Sequence, residues 1–154
     1  MFFFIIYHKT REIVRYAVTE NPVREFVRQQ LIEFENEMNR LVYLIHDNAL
    51  QFNLHYLSYS IKGIATSVKS PNMNSYAERF VLSVRQEAFD NFIIISYTQV
   101  RNILDQYISY YNFKRPHQRI DQKVPKNYKS CENGKIVKLP VLSGLHHHYY
   151  RKAA

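Results

Sequence analysis

Two carboxylates and a guanidinium are spaced so that they could act together. Asp47 follows the apolar run Leu41–Ile45 (LVYLI) and His46. That puts it at the C-terminal end of an expected buried strand, where open α/β sheets place ligand sites. Glu78 lies in a long expected helix, about Ser75–Phe92. At about 100° per residue, Val81, Leu82, Arg85 and Phe89 fall on the same side as Glu78. Arg79, Ser83, Gln86, Glu87 and Asp90 fall on the polar side. Glu78 and Arg85 are therefore expected to face protein, and a partly buried carboxylate must be paired, coordinated or protonated. One reading is a Glu78–Arg85 ion pair sealing the edge of the core. The other is a metal ligand facing Asp47, with Arg85 reaching a phosphate beside it. Hard oxygen ligands of this kind suit Mg²⁺ or Mn²⁺.

The elements that would position these groups read as mixed α/β. Phe2–Tyr7 is a short continuous apolar run, as in a strand buried on both faces. His8–Arg11 is turn-like, and Glu12–Thr19 reads as the return strand of a hairpin. Asn21-Pro22 opens a helix whose apolar face is Val23, Phe26, Val27, Leu31 and Phe34. A helix followed by the strand Leu41–Ile45 implies a crossover and hence parallel pairing. Leu50–Ile61 reads as helical, Gly63 as its end, Ile64–Val68 as a short strand and Ser70–Asn74 as a loop. A further helix runs from near Ser96 to about Tyr111, with Val100, Ile103, Leu104, Tyr107, Ile108 and Tyr111 on one face. Arg115-Pro116 stops it. Ile136–Leu142 is a candidate strand.

Charge divides the chain. Residues 1–113 hold 11 Lys/Arg and 11 Asp/Glu, whereas residues 114–154 hold 10 and 2, so the last quarter carries the whole net charge of +8. This sets a core at 1–113 apart from a basic extension at 114–154. A basic arm on a neutral body points to a polyanion, most simply nucleic acid, or else to a solvated tail. His146, His147 and His148 would alternate sides in a strand, so they cannot converge on one metal ion without a turn. Cys131 is the only cysteine, which excludes an internal disulfide and fits a reducing cytoplasm. Met1–Tyr7 lacks the basic flank and cleavage site of a signal peptide and is far too short to span a bilayer.

Several motifs then occur in order. Asp47-Asn48, followed by Phe52, resembles the second-aspartate motif of retroviral-type integrases and bacterial insertion-sequence transposases. The stretch from Pro71 through Asn72, Ser75, Tyr76, Ala77 and Glu78 to Phe80 is similar to their glutamate motif, with thirty residues between Asp47 and Glu78. Arg85 occupies the family's basic position seven residues after the glutamate. Tyr110–Gln118 (YYNFKRPHQ) resembles the signature YYN-x-x-RPH. Ala49 departs from the Asp or Gly that relatives often carry.

The resemblance to integrase-type DDE transposases implies a ribonuclease H-like mixed sheet flanked by helices. In that fold the strands found here would be the second to fifth. The first, central strand carries the first catalytic aspartate, but no Asp precedes Asp47. The earlier acidic residues, Glu12, Glu20, Glu25, Glu33, Glu35 and Glu37, lie on the hairpin or first helix. The expectation is therefore a truncated core, without that strand and without the family's helix-turn-helix, followed by the basic extension. In the family, three carboxylates hold two divalent ions at a DNA phosphate. The resemblance implies that Asp47 and Glu78 are catalytic and metal-binding. It also implies that Lys69, Arg79, Arg85, Arg115, His117 and Lys123 contact DNA. Arg115-Pro116-His117 could equally be a rigid helix stop.

Two classes of function follow. One is an enzyme module for DNA strand transfer, inactive alone because its Mg²⁺ or Mn²⁺ site is incomplete. The other is a non-catalytic remnant that binds DNA or pairs with an intact transposase. Either implies DNA as partner, self-association or an intact transposase as further partners, a nucleoid-associated place in the cytoplasm, and neither a membrane nor a small-molecule substrate.

Overall fold

The aromatic run Phe2–Ile6 forms strand β1, and Ile13–Val18 returns beside it as β2. The Thr19 amide donates to the Met1 carbonyl at 2.9 Å and the Tyr7 amide to the Glu12 carbonyl at 2.8 Å, closing both ends of an antiparallel hairpin. A computed structural model describes residues 1–38, 40–49, 52, 60–67, 74–126, 131 and 133–152. The chain divides into two units, Met1–Ile6 with Val14–Arg79, and Tyr7–Ile13 with Phe80–Ala154. The charge boundary at 113/114 is thus a different division from the spatial one.

In the first unit, β1 is buried on one face only, at Phe3 and Ile5, rather than on both as its apolar run suggests. Helix α1, Arg24–Met38, covers that face with Val27, Leu31 and Phe34. The helix begins two residues after Pro22, and Val23, expected on its apolar face, is exposed ahead of it. Arg15 of β2 fastens the hairpin to α1. Its guanidinium pairs with Glu33, donates to Glu37 at 2.8 Å and, through Nε, to Gln30 at 3.1 Å. Positions 30, 33 and 37 share one face of the helix, so a single side chain spans two turns.

Strands β3, Val42–His46, and β4, Ile61–Ala65, pair in parallel from Val42↔Ile61 to His46↔Ala65. The parallel pairing expected across α1, between the hairpin and β3, is not found among the described residues; the parallel partner of β3 is β4, which follows it in the chain. Val42, Leu44, Phe52 and Ile61 pack on the core of Phe3, Ile5, Val27, Leu31 and Phe34. β3 is less buried than expected, with Leu41 and Tyr43 exposed, because among the described residues it has a strand neighbour on one edge only. Gly63, read as a helix end, lies inside β4, where a Cβ would meet His46 Nε2 at 3.0 Å. Glycine lets the imidazole lie against the neighbouring strand. Most of the helix expected at Leu50–Ile61 falls outside the described residues, as do Val68 and the loop residues 70–73.

In the second unit, helix α2 (Ser75–Glu87, begun in the first unit) ends five residues earlier than expected. Ala88 leaves the helical region, a single 3₁₀ turn follows at Phe89–Asn91, and the Asn91 side chain donates through Nδ2 to the Gln86 carbonyl at 2.8 Å. That bond satisfies one of the carbonyls a helix end leaves open. Helix α3, Tyr97–Phe113, starts as its sequence requires, with the Ser96 hydroxyl accepting from the Gln99 amide at 3.1 Å. Ile103, Leu104, Tyr107, Ile108 and Tyr111 are buried on one face, as expected. Val100 is only half-buried. The candidate strand is shifted by one residue and has a partner. β5, Lys135–Val141, pairs antiparallel with β6, His146–Lys152, through a turn where Gly144 adopts φ +94°. That turn favours glycine sterically.

Among the described residues the six strands form three two-stranded sheets, β1–β2, β3–β4 and β5–β6.

Candidate functional site

Asp47 caps the parallel pair. It is exposed in the turn after β3, and its Oδ1 accepts from the Ala49 amide at 3.1 Å, an Asx turn that fixes the carboxylate at the strand end. Three contacts hold that turn. The Thr66 amide donates to the His46 carbonyl at 2.8 Å, and the Asn48 side chain donates to the Thr66 carbonyl at 2.7 Å. The His46 ring stacks on Phe52 at 5.8 Å, and Phe52 stacks in turn on Phe3 at 6.5 Å. The acidic side chain therefore stands on a rigid base even though it faces water.

Glu78 sits in the first turn of α2 and is exposed, as are Arg79 and Arg85. This corrects the expected orientation of α2. Its buried face is Phe80, Ser83, Val84 and Ala88, with Glu87 half-buried, while Val81 and Leu82 are exposed on the side of Glu78 and Arg85. Ser83 is small enough to pack, and the charge of Glu87 is answered by an arginine, so the side that looks polar in sequence is the one that turns inward. Glu78 and Arg85 are not ion-paired among the described residues, which removes the core-edge pair as a reading. No hydrogen bond joins Asp47 to Glu78, and no group of three or more His, Cys, Asp or Glu could hold a metal ion among the described residues. Lys69 lies outside those residues.

Arg115 and His117 pack against residues of their own unit. Arg115 grips Glu87 with two bonds, Nη2 to Oε1 at 2.5 Å and Nε to Oε2 at 2.7 Å. The Tyr107 hydroxyl also donates to Oε2, at 3.1 Å, and the guanidinium lies 5.7 Å from the Tyr111 ring centroid. Burial, reinforced by the Glu87 charge, raises the Tyr107 phenol well above its ordinary range, and burial pushes Tyr111 up to about 12. His117 is buried edge-on to Tyr111, with Nε2 3.2 Å from the Tyr111 carbonyl and Nδ1 3.4 Å from Arg115 Nη1. Those partners assign the neutral tautomer, Nε2–H donating and Nδ1 accepting. Burial holds its pKa below the usual histidine range, and the Arg115 charge acts in the same direction. Lys123 is exposed, and its carbonyl accepts from the His117 amide at 3.0 Å. Arg115-Pro116-His117 thus follows directly on the end of α3, with its arginine held by Glu87 and its histidine by the Tyr111 carbonyl.

Sequence reasoning missed Glu87 and Asn112. Asn112 is buried, and its amide makes two bonds of 2.9 Å to Ile13, accepting from the backbone N–H and donating to the carbonyl. It thereby substitutes for a strand partner. The YYN run marks the position, but a partner 99 residues away in sequence leaves no local signal.

Against known proteins, residues 59–125 match the family model described as Integrase core domain. The match includes Glu78, Arg85 and the Tyr110–His117 signature and stops short of Asp47. No curated protein and no solved structure matches the chain. The ordered motifs within the matched stretch and the match itself agree, and residues 59–125 are similar to an integrase-type catalytic core.

Proposed function

We propose that this chain supplies two of the three carboxylates, Asp47 and Glu78, of a metal-dependent DNA strand-transfer centre of the integrase and transposase type. The observation that carries the reading is Glu78, which lies within the integrase-core match and shares the exposed side of α2 with Arg85. Asp47 supports it, being fixed at the C-terminal end of a parallel strand pair. A ribonuclease H-like arrangement is the proposed architecture. Its support is an antiparallel hairpin, a helix and a parallel pair in that chain order, followed by two helices.

The donor set fits a divalent ion in kind and falls short in number. Carboxylate oxygens are hard ligands suited to Mg²⁺ or Mn²⁺. When bound, such ions activate the attacking oxygen and stabilise charge at the phosphate. Asp47 and Glu78 would hold them, and the sequence has no earlier aspartate to serve as a third ligand. The chain's own contribution is therefore to orient these two carboxylates and to meet DNA backbone with Arg79, Arg85, Lys69, Lys123 and the basic extension, in the cytoplasm where DNA lies. Alone, it should not cut.

Exposed Leu41 and Tyr43 beside an edge of β3 favour a second role, pairing with an intact integrase core. Incubating the purified chain with supercoiled plasmid and Mg²⁺ or Mn²⁺ tests the main reading. We expect DNA binding that weakens steeply with salt and no nicking. Metal-dependent nicking that disappears in Asp47→Ala would overturn the incomplete-site reading, and a failure to bind DNA at low salt would overturn both.

A further inference from the structure

The β5–β6 register sorts the hairpin into two faces of opposite character. One seats on the rest of its unit. Val141 is buried, His146 stacks on Tyr110 at 4.9 Å and 7°, and His146 Nε2 lies 2.6 Å from the Glu87 carbonyl. Residues on the other face alternate with these. They are Ile136, Lys138 and Pro140 on β5 and, paired with them, Arg151, Tyr149 and His147 on β6. That face is turned to solvent, with Ile136 58% and Tyr149 59% exposed. Lys138 and Tyr149 are direct cross-strand partners. Side chains in such a pair stand about 5 Å apart at Cβ. Arg151, diagonal to Lys138, is steadied by one bond from Nη1 to the Gly134 carbonyl at 3.0 Å. Lys135 and Lys152 face each other at the open end, and residues 133–152 contain no acidic side chain.

We propose that this outward face is a platform for unpaired DNA bases, with Tyr149 stacking a base while Lys138 and Arg151 hold the phosphates beside it. The cations without acids call for a polyanion. The solvent-facing ring adds what phosphate contacts alone would not use, a flat apolar surface within reach of positive charge. Surfaces that combine the two bind single strands, because every unpaired base offers a π-face that a duplex hides. The inner face is anchored at its turn end by buried Val141 and by His146 against Tyr110. Sequence showed the basic extension, but only the register brings Lys138 opposite Tyr149, since the two lie on different strands.

The proposal rests on DNA as the chain's partner, and its test separates the two ideas. Fluorescence anisotropy of the full chain would be measured with a short labelled oligothymidylate and with a duplex of equal length. We expect Tyr149→Ala to weaken oligothymidylate binding about 5- to 100-fold and to change duplex binding less than about twofold. Tyr149→Phe keeps the ring and should bind as the parent does. Lys138→Ala should lower the salt dependence for the single strand by about 0.7 in the log–log slope. Tyr149→Ala binding oligothymidylate like the parent, or losing both ligands equally, would overturn the platform. Duplex binding without oligothymidylate binding would overturn the platform and leave DNA as the partner. Binding to neither would overturn both. Tyr149 is exposed, so the variant should fold, and an unchanged circular dichroism spectrum would verify that.

Discussion

Asn112→Ala is the most incisive change to the scaffold. The parent amide satisfies both the N–H and the C=O of Ile13 at 2.9 Å, and both residues are buried. Removing it leaves one donor and one acceptor unpaired, at roughly 1–3 kcal/mol each. The sum, about 2–6 kcal/mol, compares with a whole-domain stability of about 5–15 kcal/mol. In a chain of this length each kcal/mol lowers Tm by about 2–4 °C, so the melt monitored by far-UV circular dichroism should fall by roughly 5–20 °C. Asn112→Asp is a sharper probe. An ionised carboxylate still accepts from the Ile13 N–H but repels the Ile13 carbonyl, whereas a protonated one can donate to it. Its deficit relative to the parent should therefore shrink as pH is lowered. A fall in Tm of less than about 2 °C for Asn112→Ala would mean that water or backbone movement replaces both bonds, and the strand-partner role would be wrong.

Further outcomes concern the network around Glu87. Arg115→Met should cost about 1–3 kcal/mol in urea denaturation, less than a fully buried pair because both side chains keep about a quarter of their surface, 24% and 27%. The double variant Glu87→Met/Arg115→Met should be more stable than the sum of the single changes, since neither charge is then stranded, and strict additivity would refute the pairing. His117 has a folded pKa below its unfolded value, so the unfolded chain binds more protons in the acidic range. Its contribution is present above the unfolded value of about 6.5 and is lost as pH falls through it toward the lower folded value. His8 and His148 are lowered as well and act with the same sign. His117→Gln should flatten stability between about pH 7 and 5, and an unchanged slope would show that His117 does not carry the effect.

What could be read from sequence is local. The hairpin Phe2–Val18, the α1 face of Val27, Leu31 and Phe34, and the α3 face with its Ser96 cap all follow from spacing and capping within a few residues. The orientation of α2 did not follow. Its inward side carries Ser83 and Glu87, and Glu87 becomes compatible with burial only through Arg115, 28 residues away. Gly63 looks like a helix end in sequence for a similar reason, since its role depends on the His46 ring on the neighbouring strand. Asp47 and Glu78 were visible as residues because an exposed strand end and a helix first turn are local features. Their relation to each other is tertiary, and the residues between them include long stretches outside those described.

If the proposed centre is real, Asp47 and Glu78 answer to the same divalent ions. The most direct measurement is paramagnetic broadening by Mn²⁺ in amide NMR spectra of the full chain bound to DNA. We expect the amides of Asn48 and Ala49 and those of Ala77 and Arg79 to broaden at the same Mn²⁺ concentration, and both sets to recover in either Asp47→Asn or Glu78→Gln. Broadening at one carboxylate that is indifferent to loss of the other, or broadening spread over unrelated acidic residues such as Glu20 and Asp90, would contradict a shared metal site.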